Sequence, residues 1–233
     1  MVSAERYDRA KVGAIIVAAG TSQRMGGVDK LLAPLAERPL LAYTLDAFQR
    51  CPSIHQIVVV LREQNRAEVR RLMTREGWTK VSDLCLGGRR RQDSVMAGLG
   101  RLNLCEWVVI HDGARPLVTV ELIERGLEAA QESGAAVAAV PVTDTIKVAT
   151  RERFVRCTPD RRDLWAVQTP QVFRFELIAQ AYCQARGELS DDAAAVEQLG
   201  HRVKLYMGSY DNIKITTPAD LVIAEVLLRK HGR

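Results

Sequence analysis

Four short apolar runs decide the architecture of this chain. Ala14–Ala19 (AIIVAA), Ile57–Leu61 (IVVVL), Trp107–Ile110 (WVVI) and Ala135–Val140 (AAVAAV) are continuous rather than alternating. Such runs suit strands covered on both faces, as in a parallel sheet lying between helices. The segments between them predict helices. Pro39 opens Leu40–Arg50, Arg62–Glu76 is charged and amphipathic, and Ser94–Leu102 follows a glycine pair. Thr119–Ser133 begins on a capping threonine, with Glu121 and Glu124 near its positive end. Strand–helix alternation of this kind predicts an α/β fold with a doubly wound, mostly parallel, Rossmann-like sheet.

The pattern weakens between Thr143 and Gln171, where Thr, Pro and charged residues replace any helical period. Two extended pieces projecting from the sheet as a β-arm are expected there. Helices follow at Phe175–Arg186, Asp191–Leu199 and Ala219–Lys230, with late strands at Arg202–Met207 and Asn212–Thr216. No repeat or low-complexity segment divides the 233 residues. A single domain over 1–233 with an arm at 143–171 is the expectation, and a chain of this size buries about 70% of its unfolded surface without staples.

Charge narrows the partners. Lys and Arg number 33 against 28 Asp and Glu, a net +5, yet no basic block is longer than Arg89-Arg90-Arg91 and aromatics are 5%. Nucleic-acid surfaces show a basic stripe with stacking aromatics, so the excess fits a pocket for a small polyanion instead. The five cysteines show neither Cys-x-x-Cys nor metal-ligand spacing and read as reduced thiols. No apolar stretch approaches the roughly 20 residues of a membrane span, and the first eleven residues are polar. A cytoplasmic protein without membrane or nucleic-acid partners is expected.

Ligands of open α/β sheets bind beyond the carboxyl ends of the strands, and three such ends are unusual here. After AIIVAA comes Gly20-Thr21-Ser22-Gln23-Arg24-Met25-Gly26-Gly27-Val28-Asp29-Lys30. A turn rich in Gly, Thr and Ser presents backbone N–H groups to phosphate, flanked by the cations Arg24 and Lys30. It is neither the dinucleotide fingerprint nor the P-loop, and a plain turn with solvated cations is the alternative. The second end is Gly87-Gly88 followed by RRRQDS, where Ser94 either caps a helix or meets a nucleobase edge. The third is His111-Asp112-Gly113-Ala114-Arg115-Pro116. A strand-end carboxylate facing a phosphate loop suits Mg²⁺, which takes one or two carboxylates plus substrate phosphates. An Asp112–Arg115 ion pair closing the turn is the alternative, and His111 reads as structural.

These pieces supply positioning and charge rather than a covalent nucleophile. That suits nucleotidyl transfer, because a phosphate nucleophile is already largely ionised at neutral pH, its second pKa being about 6. The catalyst then has only to gather and stabilise negative charge.

In this order, Ala18-Ala19-Gly20, Arg24-Met25-Gly26, Lys30, GGRRRQDSV, HDGARP, DTIK, TPQ and DNIKIT resemble the 2-C-methyl-D-erythritol 4-phosphate cytidylyltransferase family from about Ala14 to Leu227. The resemblance implies the nucleotide-diphospho-sugar transferase-like fold, and transfer of CMP from CTP to 2-C-methyl-D-erythritol 4-phosphate with Mg²⁺ or another divalent cation. By position it implies transition-state roles for Arg24 and Lys30. Nucleotide contacts fall at Ala18, Ala19, Gly20, Gly88 and Ser94, and the metal-side carboxylate at Asp112. Arg161 and Lys214 match the pair that positions the second substrate, with support from Thr145, Thr169 and Asp211. It further implies a homodimer whose arm supplies Arg161 in trans. Ser22 and Asp29 stand where the family usually has Gly and Pro, and Asp29-Lys30 after RMGG also resembles molybdenum-cofactor guanylyltransferases.

Overall fold

The computed structural model describes residues 11–20 and 30–232. The chain runs β1 (Val12–Ala18), a small hairpin of β2 (Pro34–Leu35) and β3 (Arg38–Pro39), α1 (Leu40–Arg50), β4 (Ile54–Leu61), α2 (Glu63–Glu76) and β5 (Val81–Leu86). It continues through α3 (Arg91–Leu99), β6 (Trp107–Asp112), α4 (Val120–Ala130), β7 (Ala135–Pro141), β8 (Val148–Ala149) and β9 (Val155–Cys157). Last come β10 (Trp165–Arg174), α5 (Phe175–Gln184), α6 (Ala193–Gln198), β11 (Lys204–Met207) and α7 (Pro218–Lys230).

Seven strands form one sheet in the order β11-β7-β10-β6-β1-β4-β5. Every pairing is parallel except those of β10, which runs antiparallel between β6 and β7. The continuous apolar runs have the expected cause. Ala14 and Ile16 of β1 join the core under Phe48, Leu72, Ile123 and Leu228, from α1, α2, α4 and α7. Ile15 between them joins the opposite core with Val95, Ile178 and Val196, from α3, α5 and α6. Burial on both faces removes any alternation. Thr119 caps α4 as expected, its Oγ1 accepting from Leu122 N at 3.2 Å.

Several elements differ from the sequence expectation, each for a physical reason. β5 escapes a search for continuous runs because it is an edge strand whose VSDLCL is only partly buried. Helix α3 begins at Arg91 rather than Ser94, because Asp93, not Ser94, accepts from the Arg90 N–H at 3.1 Å. Residues 212–216 form no strand; they are a pinned segment, with Ile215 N donating to Ala114 O at 2.8 Å and Asn212 Nδ2 to Thr169 O at 2.8 Å. The expected arm at 143–171 is divided. Its end, from Trp165, belongs to β10 inside the main sheet, and the β7 register breaks between Val167 and Gln171, where Pro170 has no N–H to give. What projects is the stretch between Val142 and Leu164, closed at its base by Val142 N donating to Leu164 O at 3.0 Å. It carries β8 paired with β9 and a 3₁₀ turn at Arg161–Asp163.

Candidate active site

The carboxyl ends of β1, β4, β5 and β6 open on one cleft of about 550 Å³, lined by Ala18, Ala19, Gly20, Lys30, Arg62, Gly88, Arg89, Arg90, Arg91, Ser94, Asp112 and Lys214 among others. Among the described residues its lining joins six cations to a single carboxylate, a strongly electropositive recess suited to phosphate. Arg24 lies outside the described residues. Lys30 donates to the carbonyl of Ile215 at 3.0 Å, which ties Lys30 to the segment carrying Lys214.

The glycine pair is required by close approach. A Cβ on Gly87 would lie 2.3 Å from Ala19 Cβ, and one on Gly88 2.3 Å from Asp93 Cβ. Ser94 is buried below this turn; its Oγ accepts from Gly88 N at 3.2 Å and reaches Arg90 O at 3.3 Å. Its hydroxyl therefore shapes the loop that lines the cleft.

Asp112 ends β6 at the floor of the cleft. Lys214 Nζ lies 2.7 Å from its Oδ2 and Arg91 Nε donates to Oδ1 at 3.3 Å. The ion pair weighed from sequence, Asp112 with Arg115, spans 4.0 Å, and Arg115 donates instead to Asn212 O at 2.7 Å. Burial pushes the Asp112 carboxyl up, but Arg91 and Lys214 outweigh it and hold the group well below the ordinary carboxylate range. The carboxylate is ionised throughout the physiological range.

A buried relay fixes its backbone. Asp112 N donates to Thr169 Oγ1 at 3.0 Å, and Thr169 Oγ1 lies 3.0 Å from His111 Nδ1. His111 Nε2 lies 3.2 Å from Arg115 O, and a carbonyl can only accept, so the proton is on Nε2 and Nδ1 accepts from the threonine. Burial, the largest influence, lowers the His111 pKa to about 3, which keeps the ring neutral. Thr169, expected as a substrate contact, is thus turned inward.

Three other expected residues stand apart from this cleft. Thr145 is exposed in the arm. Arg161 is exposed there too, donating to Thr143 O at 3.2 Å. Asp211 accepts from Lys230 Nζ at 3.2 Å and pairs with His231 Nε2 at 2.9 Å, at the end of α7. The cleft cations that sequence reasoning did not single out are Arg62, Arg89, Arg90 and Arg91. Arg91 is the most engaged of them, and nothing local distinguishes it within the RRR triplet.

Among the described residues no three His, Cys, Asp or Glu groups gather as a metal cage. Among the described residues the donor set fits a divalent cation held on substrate phosphates, with Asp112 as the protein carboxylate. Among the described residues, the hydroxyls of Ser94 and Thr169 and the imidazole of His111 are engaged in loop and backbone hydrogen bonds. The cleft can bind a polyphosphate and concentrate positive charge on it, and among the described residues it shows no armed nucleophile; that is the equipment of a nucleotidyltransferase.

Comparison with known proteins gives the class its particular form. The family model "2-C-methyl-D-erythritol 4-phosphate cytidylyltransferase" matches residues 12–230. A protein of that name from Dehalococcoides mccartyi is 51% identical over 220 residues, covering 94% of this chain and 97% of that protein. Another from Caldanaerobacter subterraneus is 47% identical over 225 residues, covering 94% and 99%. Among solved structures, 4-diphosphocytidyl-2C-methyl-D-erythritol synthase from Anaerococcus prevotii superposes with a TM-score of 0.86 at 29% identity, covering 97% of this chain and 100% of that one. The chain belongs to the 2-C-methyl-D-erythritol 4-phosphate cytidylyltransferase family and is a cytidylyltransferase.

Proposed function

We propose that the enzyme transfers CMP from CTP to 2-C-methyl-D-erythritol 4-phosphate, giving 4-diphosphocytidyl-2-C-methyl-D-erythritol and pyrophosphate, the cytidylyl step of non-mevalonate isoprenoid synthesis. The observation that carries this reading is the single cleft that joins Gly20 and Lys30, Gly88, Asp112 and Lys214. In it the triphosphate lies over the Gly20 turn and Lys30, and the cytidine lies toward Gly88 and Ser94. Lys214 holds the methylerythritol phosphate beside the α-phosphorus.

A phosphate oxygen of methylerythritol phosphate attacks the α-phosphorus of CTP. That P–O bond forms as the α–β bridge breaks, and pyrophosphate leaves with the bridging electrons. No general base is needed, since the nucleophile is already largely dianionic near neutral pH. Lys30, with Arg24, acts on the charge that spreads over the equatorial oxygens. We assign Mg²⁺ or another divalent cation to the triphosphate, with Asp112 as its protein ligand. When bound it supplies charge neutralisation at the phosphoryl oxygens.

We further propose a cytoplasmic homodimer in which the arm delivers Arg161 to the partner's cleft, while Thr145 and Asp211 support the second-substrate side. Exposed apolar residues on and beside the arm support an interface there: Phe154 is 73% exposed, and Val155, Trp165, Val167 and Met207 are exposed as well. All five cysteines are free thiols, and among the described residues no helix is long and apolar enough to cross a membrane.

The test is pyrophosphate release with each of CTP, UTP, ATP and GTP, with and without 2-C-methyl-D-erythritol 4-phosphate. Release confined to CTP plus that acceptor is expected. Equal use of GTP, or release with a sugar 1-phosphate in its place, would overturn the assignment.

A further inference from the structure

Behind the cleft, on the face of the sheet covered by α3, α5 and α6, a buried polar chain ends on Asp112. Asp192, fully buried at the start of α6, accepts from both terminal nitrogens of Arg91, each at 2.7 Å. The Tyr182 hydroxyl of α5 donates to the same carboxylate. Arg91 then presents its third nitrogen, Nε, to Asp112 Oδ1 at 3.3 Å. The turn that carries Asp192 is fastened in its own right. Gln171 of β10 donates to Asp191 Oδ2 at 2.8 Å and accepts from Ala193 N at 3.1 Å, and Asp191 Oδ1 accepts from Ala194 N at 3.0 Å. β10 also carries Thr169, which holds the backbone of Asp112.

Stability alone does not account for this arrangement. Burying an arginine and an aspartate is expensive, and a well-packed apolar pair in their place is often as stable or more so. What the chain does achieve is directional. The bidentate fork fixes the plane of the guanidinium, so Nε meets one oxygen of Asp112 and leaves the other toward Lys214. It also keeps a cleft-lining arginine from turning onto the triphosphate as one more loose cation.

We propose that Asp192, steadied by Tyr182, is a positioning residue for cytidylyl transfer, setting the orientation of the Asp112 carboxylate through Arg91. The inference rests on the transfer reaction proposed above. It gives the reaction a component behind the cleft, among α3, α5 and α6, one that does not line the cleft.

Steady-state kinetics of the full-length enzyme on CTP and 2-C-methyl-D-erythritol 4-phosphate tests it. Asp192→Asn should lower kcat about tenfold or more, with the KM for methylerythritol phosphate changed less than about threefold. Tyr182→Phe keeps the ring packed and removes only the donor, so it should fold like the parent and lose about threefold to fivefold in kcat. In an Asp112→Asn background, the Asp192→Asn change should then cost less than about threefold further, because its target is gone. A purely structural role would make the two losses multiply, and that result would overturn the proposal.

Should Asp192→Asn fail to fold around its unpaired arginine, the double variant Arg91→Met/Asp192→Asn removes both charges and should melt near the parent. Its kcat should stay about tenfold low or more; parental kcat in that variant would mark the pair as scaffold and overturn the proposal. A parent enzyme inactive on CTP and methylerythritol phosphate would overturn the proposed function and this inference with it. An active parent with multiplicative losses would overturn this inference alone.

Discussion

Lys214 Nζ stands 2.7 Å from Asp112 Oδ2, so the carboxylate we assign to the nucleotide and the ammonium we assign to the acceptor form one ion pair. Each holds the other in place, and Asp112 is the more buried, with 10% of its side chain exposed against 41% for Lys214. On the proposed assignment, replacing the carboxylate should disturb both substrate sides at once.

Asp112→Asn keeps the shape but removes the charge that balances Arg91 and Lys214. We expect kcat to fall on the order of a hundredfold or more, with a higher Mg²⁺ requirement and a raised KM for methylerythritol phosphate as Lys214 loses its anchor. Near-parental turnover at low Mg²⁺ would show that Asp112 does not serve the nucleotide side.

The two lysines should separate kinetically although their segments are tied, Lys30 reaching the carbonyl of Ile215 next to Lys214. If Lys30 meets charge that develops only in the transition state, Lys30→Ala lowers kcat with little change in either KM. Lys214→Ala raises the KM for methylerythritol phosphate about tenfold or more, and that for CTP less. The reverse pattern would exchange the two assignments.

His111 gives the fold a pH dependence that the chemistry does not require. Its folded pKa, lowered to about 3 chiefly by burial, lies below the ordinary value of 6.5. Between those values the unfolded chain binds the proton and the folded chain does not, so stability is full above pH 6.5 and declines as pH falls toward 3. The limiting slope is about 1.4 kcal/mol per pH unit. Denaturant titrations from pH 7 to pH 5 should show that loss in the parent and a shallower one in His111→Gln. Equal slopes in both proteins would place the proton uptake elsewhere.

The sequence announced what local physics controls. A strand buried on both faces must be apolar throughout, so β1, β4, β6 and β7 were visible; the end of β6 located Asp112, while Gly88, beyond the partly buried β5, was marked only by the glycine pair. Where partners are distant, local signals fail. Arg91 and Asp192 are 101 residues apart, and neither the arginine triplet nor the Asp191-Asp192 pair indicates which member turns inward. β10 was hidden for another reason: Pro170 and the register break interrupt the pattern of a strand that pairs on both sides. Asp211 and Thr169 carry side chains of types that bind ligands, but their hydrogen bonds run to α7 and to His111, which only the folded chain brings within reach.

Arg161 gives the strongest test of the proposed dimer. It sits on an exposed 3₁₀ turn of the arm and donates within the arm to Thr143 O, and it does not line its own cleft. An arm ordered against a twofold partner buries its apolar surface and brings a cation with it. Let two inactive variants, Lys30→Ala and Arg161→Ala, exchange subunits in equal amounts. With Arg161 acting in trans, each mixed dimer has one site carrying both defects and one carrying neither. Random mixing makes half the dimers mixed, so about a quarter of parental activity should return in a C₂ assembly. With Arg161 acting in its own subunit, every site in every dimer keeps one defect and no activity returns. Recovery is read by pyrophosphate release, and exchange is verified by native mass spectrometry of tagged subunits. Verified exchange without recovery would assign Arg161 to its own chain or remove it from the site.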